Sequence, residues 1–95
     1  MLDSMIDGFL AFCKVEKGLS IATIEAYAKD LQSLGQFLES NHIDDPREVD
    51  HKILSQWIIW LHDSGLKKTS INRRRVSMRQ FFLFLLKEGM LESIQ

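Results

Sequence analysis

Between Lys67 and Arg79 lie six cations, Lys67, Lys68, Arg73, Arg74, Arg75 and Arg79, and no acid. Solvated helix faces usually alternate signs, so an unbroken run of one sign has the composition of an anion-binding surface. Lys67, Lys68, Thr69, Ser70 and Asn72 fall at the expected start of a helix. Free backbone N–H groups and the positive end of the helix dipole gather there. A phosphate would meet amides, hydroxyls and ammonium groups together. Arg73, Arg74 and Arg79 follow on what the spacing makes the outer side of the same helix. In a major groove, Arg73 could pair with guanine and Asn72 with adenine. Phosphate contacts would supply affinity and base contacts any specificity. A plainer reading stays open, in which Thr69 or Ser70 only caps the helix and the arginines only solvate it. Arg75 lies four residues after Ile71 and three before Met78, on the expected core side. It either runs its stem along the core edge or pairs with an acid of the first half.

Other chemistry finds little support. His42, His51 and His62 are well separated, and the chain has no H-E-x-x-H, glycine-rich phosphate loop or nucleophile elbow. Asp44-Asp45 before Pro46 reads as turn chemistry rather than an acid/base pair. Tyr27, the single tyrosine, sits on a packing stripe, as a half-buried ring with a wet hydroxyl. Cys13 is the single cysteine. It can form no internal disulfide, and nothing beside it has zinc-ligand spacing. No metal and no cofactor are expected, and a stand-alone enzyme would lack a site.

The net charge of −1 conceals an asymmetry. Residues 1–50 hold ten acids and four bases, a balance of −6; residues 51–95 hold three acids and eight bases, a balance of +5. The 45% apolar share and 9% aromatics suit one folded domain. The first residues carry acids and no basic region, unlike a signal peptide. Apolar runs such as Trp57 to Leu61 are far below the ~20 residues that span a bilayer. A cytoplasmic, reducing setting with no membrane partner is expected.

Four helical segments must position these residues. The first runs from about Leu2 to Lys17, with Leu2, Ile6, Phe9, Leu10 and Cys13 inward, Phe12 widening the stripe and Gly18 as its stop. The second is capped by Ser20 and carries Ile24, Tyr27, Leu31, Leu34 and Leu38 on one face, extended by Phe37. Its Gly35 leaves room for close approach of a neighbouring helix, and Asn41 ends it. A loop over His42 to Val49 leads to Asp50, the cap of a third helix from His51 to about Ser64. Ile53, Leu54, Trp57, Ile58 and Leu61 form its inner face, and Trp60 falls outside that face. The fourth helix opens at Lys68-Thr69-Ser70, capped by Thr69 or Ser70, and runs to about Glu88 before Gly89. Ile71, Met78, Phe82 and Leu85 point inward, with Phe81 alongside. Met90, Leu91 and Ile94 form a short apolar tail. No segment alternates with period two, so an all-α bundle is expected.

Two spaced patterns bring a family into view. Glu16-Lys17-Gly18-Leu19-Ser20, then Thr23, Tyr27 and Asp30-Leu31, resembles the opening of the XerC/XerD-like tyrosine recombinases, the phage-type integrases. So does Thr69-Ser70-Ile71-Asn72-Arg73-Arg74, followed by Ser77-Met78-Arg79-Gln80-Phe81-Phe82, Phe84-Leu85 and Glu88-Gly89, with Trp57-Ile58 and Leu61 between. The resemblance implies a four-helix orthogonal bundle, the SAM-like core-binding domain, over residues 1–89, with 90–95 starting an interdomain linker. It implies one half of a clamp around double-stranded DNA, serving integration and recombination by a catalytic half that this sequence does not contain. Recombinase protomers, four on DNA in the full-length protein, are the implied partners, with the isolated domain a monomer. Family DNA contacts come from the second and fourth helices. By position they fall near Ser20, Thr23 and Tyr27, and near Lys68, Thr69, Ser70, Asn72, Arg73 and Arg79. Two residues depart from the pattern: Ala28 stands where a basic residue often follows the tyrosine, and Arg75 where an apolar residue is usual. A helical protein–protein interaction module, using the acidic first half, Trp60 and the apolar tail, is the alternative.

Overall fold

The computed structural model describes residues 2–91. Four α-helices follow one another: α1 (Leu2–Val15), α2 (Ile21–Ser40), α3 (His51–Asp63) and α4 (Lys68–Lys87), with a short 3-10 turn at Pro46–Glu48. No strand occurs among the described residues. The fold is the all-α bundle that the periodicity predicts.

Helix boundaries follow local chemistry. The Ser20 side chain accepts the Thr23 N–H at the start of α2, and Asp50 accepts the Ile53 N–H at the start of α3. Each satisfies an amide that the first turn leaves without a partner. Gly18, Gly65 and Gly89 take positive φ just past the ends of α1, α3 and α4, a conformation that costs glycine nothing. After α2 the left-handed residue is His42, at φ 61°, while the Asn41 amide donates to the Phe37 carbonyl at 2.8 Å. Helix α1 ends two residues earlier than expected. Glu16 and Lys17 instead turn their N–H groups onto the Phe12 carbonyl.

Helix α4 departs from expectation at its start. Neither Thr69 nor Ser70 caps it. Lys67 occupies the capping position, without a side-chain bond, and its carbonyl accepts the Ile71 N–H.

Phe9 of α1 is the hub of the core. Its ring stacks on Tyr27 of α2 at 5.9 Å and meets Phe81 and Phe84 of α4 at 5.7 and 5.5 Å. Leu31, Leu34 and Leu38 of α2 and Trp57 and Leu61 of α3 are buried in the same core. Trp60, outside the inner face as expected, lies against Phe37 at 5.7 Å between ring centres and remains partly exposed. Tyr27 is a half-buried packing residue, as its place on the stripe suggests. A methyl group at Gly35 would lie 3.7 Å from Leu2, an ordinary contact, so no close helix approach depends on this glycine.

Helix α4 touches α1, α2 and α3. It therefore buries more of its circumference than a single stripe. Ile71, Phe81, Phe82 and Leu85 are buried as expected and Met78 partly so, but Ser77 and Phe84 are buried too. This wider face draws Arg74 inward and leaves Arg75 exposed, correcting the expectation that Arg75 faces the core. In the tail, Leu91 folds back into the core while Met90 stays exposed. Ile94 and the rest of 92–95 lie outside the described residues.

Candidate nucleic-acid interface

Six cations in one run of sequence do not form one group in space. Asp30, on the inner side of α2, is wholly buried. An isolated carboxylate there would be very costly. Arg73 answers it with a two-pronged contact, Nη2 to Oδ1 at 2.7 Å and Nε to Oδ2 at 3.2 Å. The Ser77 hydroxyl donates to Oδ2 at 2.6 Å, and Arg74 brings Nη1 to 3.5 Å from Oδ1. The bond to Asp30 raises the Arg73 pKa above its ordinary value, so this guanidinium stays charged.

Two arginines expected on the outer side of the helix are thus held on its α2 side. The Arg73 side chain keeps 51% of its exposure and Arg74 only 17%. The Nε of Arg74 is buried and has no hydrogen-bond partner among the described residues. Arg73 is exposed but paired with Asp30; the exposed cations of the run outside that cluster are Lys67, Lys68, Arg75 and Arg79. Thr69 and Asn72 are exposed beside them and Ser70 is half-buried. With no side chain capping α4, its first amides remain available at the same end.

The α2 residues form a separate group. Ser20 and Thr23 share a hydroxyl–hydroxyl bond of 3.0 Å at the helix start, and Tyr27 lies one turn further on against Phe9. What ties α2 to α4 through polar atoms is Asp30, whose role as a charge partner sequence reasoning missed. The signal was available: Asp30 lies three residues after Tyr27 and four before Leu34, an acid on an apolar stripe, while Arg73 and Ser77 stand four apart. Ala28, where the family often has a basic residue, lines a groove between α1 and α2. That groove, of about 640 Å³, carries Asp3, Asp7, Glu39 and Asp44 around Leu2, Ile6, Leu10 and Ile43. Among the described residues no helix is long and apolar enough to cross a membrane.

Comparison with known proteins agrees with this architecture. The phage integrase, N-terminal SAM-like domain family matches residues 6–89. Tyrosine recombinase XerD of Staphylococcus saprophyticus subsp. saprophyticus is 37% identical over 87 residues. The XerD of Staphylococcus epidermidis is 34% identical over 87 residues, and the tyrosine recombinase XerC of Pelotomaculum thermopropionicum 32% over 92. Each match covers 92% of this chain and 30% of the relative, so the chain spans under a third of those proteins' length. No solved structure matches significantly. Helix order, composition and these matches agree: the chain belongs to the phage integrase N-terminal SAM-like domain family, the N-terminal helical part of the tyrosine recombinases.

Proposed function

We propose that this chain is the DNA-binding half of a site-specific recombinase clamp, acting on double-stranded DNA through the start and outer face of α4. The observation that carries this reading is the uncapped first turn of α4 with the exposed Lys67 and Lys68, continued along the helix by the exposed Arg75 and Arg79, with no acid between residues 67 and 79. Helices α2 and α3 spend a side chain on capping, whereas α4 leaves its amides for a ligand. Thr69, Ser70 and Asn72 add polar contacts. Arg73 and Arg74 support the surface from behind, through Asp30. Ser20, Thr23 and Tyr27 form a secondary contact along α2. Strand cleavage belongs to a catalytic domain with which this module works, in a cytoplasmic complex of several protomers on DNA.

Duplex binding measured across a salt series tests the reading. If about four to six phosphates are contacted, log K falls against log salt with a slope of about −4 to −5. Lys68→Glu and Arg79→Glu should each weaken binding and flatten the slope by about one or more, without lowering thermal stability. A slope near zero, or no binding to any duplex at low salt, would overturn the proposal.

One observation favours a second reading, a protein-interaction module. The α1–α2 groove is apolar at its floor and acidic at its rim, suiting a basic helix. A protein partner captured by a chain that binds no duplex would support this reading instead.

A further inference from the structure

The α1–α2 groove and the outer face of α4 are opposite in charge and alike in layout. Asp3 and Asp7 enter the groove from α1, Glu39 and Asp44 from α2 and the loop after it, and no cation lines it. Ile6 and Leu10 line it beside the small Ala28 and Gly35, which lie about 10.5 Å apart along α2. On α4, Val76 and Leu83 are exposed at 52% and 46%. They recur at i and i+7, so they form one apolar seam about 10.5 Å long. The exposed Lys68, Arg75 and Arg79, at i, i+7 and i+11, run beside that seam. The free side of α4 is thus a basic amphipathic helix, the kind that an apolar groove with an acidic rim accepts. The two surfaces lie on different sides of the fold. Asp30 turns toward α4, and Glu39, nine residues on, lies about 180° round α2 from it.

We infer that the α1–α2 groove of one copy takes the outer face of α4 from a second copy, a head-to-tail contact between chains that are off DNA. Val76 and Leu83 pack over Ala28 and Gly35, and Arg75 and Arg79 meet the acids of the rim. Groove and seam are different surfaces, so the contact is heterologous. It repeats from copy to copy rather than closing as a two-fold pair. The inference rests on the protein-interaction reading of the groove and names its partner. It also sets that partner against DNA, because an α4 seated in a groove cannot face a duplex.

Sedimentation of the whole chain tests the contact. At low salt its average mass should rise with concentration past that of two copies. At about 1 M salt, where charges are screened within about 3 Å, it should fall back toward that of one. Asp7→Lys with Glu39→Lys spoils the groove, and Val76→Ser with Leu83→Ser spoils the seam. All four side chains are exposed, and circular dichroism checks that both variants fold. Each variant alone should associate about tenfold more weakly or worse. Mixed one to one, they should form a pair and nothing larger, through the intact groove of one and the intact α4 of the other. Glu25→Lys with Asp63→Lys, the same charge change outside the groove, should leave association intact. A short duplex added to the parent chain should release the copies. A parent chain that stays single at low salt, a mixture that does not pair, or copies that stay associated while bound to duplex overturns the inference. If the copies do not associate but an amphipathic leucine–lysine peptide binds the parent and not the groove variant, the inference falls and the protein-interaction reading of the groove survives. If that peptide does not bind either, both fall.

Discussion

Asp30 and Arg73 form a two-pronged ion pair across α2 and α4, with the carboxylate wholly buried and the guanidinium half in water. The arrangement joins the two helices that carry the proposed DNA surface. Its apolar surroundings make it directional: Asp30 cannot turn to solvent, whereas Arg73 can.

Removing either partner should therefore have unequal effects from one cation to the next. Arg73→Ala leaves the buried carboxylate with only Ser77 and a more distant Arg74. We expect a loss of about 2 kcal/mol, below the 3–5 kcal/mol typical of fully buried pairs because Arg73 is half-exposed and water screens it. Arg75→Ala, two residues on but exposed, should change stability by less than about 0.5 kcal/mol. Urea unfolding followed by circular dichroism compares the two. Equal effects would show that the pair does not hold α2 against α4.

Capping gives a second contrast. Ser20→Ala and Asp50→Ala each remove an observed cap and should each cost about 1 kcal/mol. Thr69→Ala removes no capping bond and should leave the unfolding midpoint nearly unchanged. A drop at Thr69 as large as at Asp50 would restore a capping role to it.

Gly35 offers a stabilising change. Its added methyl would meet Leu2 at 3.7 Å, an ordinary van der Waals distance, within the middle of α2. Gly35→Ala should raise stability by roughly 0.5–1 kcal/mol through helix propensity. A lower melting temperature would show that α1 and α2 cannot accept the methyl.

Cys13 predicts a dependence on alkaline pH. Burial pushes its thiol pKa above the usual 9.0, and Lys17 opposes this only in part. The folded state thus keeps a proton that the unfolded state releases. This contribution is fully present below about pH 9 and is lost as pH rises through the higher folded value. Thermal unfolding between pH 8 and pH 10 should show the parent chain losing stability relative to Cys13→Ala. A thiol reagent should modify Cys13 slowly in the native protein and quickly in denaturant. Parallel pH curves would remove the thiol as the cause.

The sequence by itself determined the elements. Apolar residues at helical spacing marked four helices, Ser20 and Asp50 marked two starts, and Gly18, Gly65 and Gly89 marked three ends. These are local facts, set by backbone sterics and by hydrogen bonds between near neighbours. It also located the cationic segment and the family pattern. It did not determine which cations are free. That depends on how far round its circumference α4 is covered, and α4 meets three other helices. Burial of Ser77 and Phe84 shifted the inner face toward Arg74, moved Arg75 into solvent and set Arg73 against Asp30, 43 residues away in sequence. A buried carboxylate must find its partner through space, so only the tertiary structure could divide the run into arginines that hold the fold and cations left for a ligand.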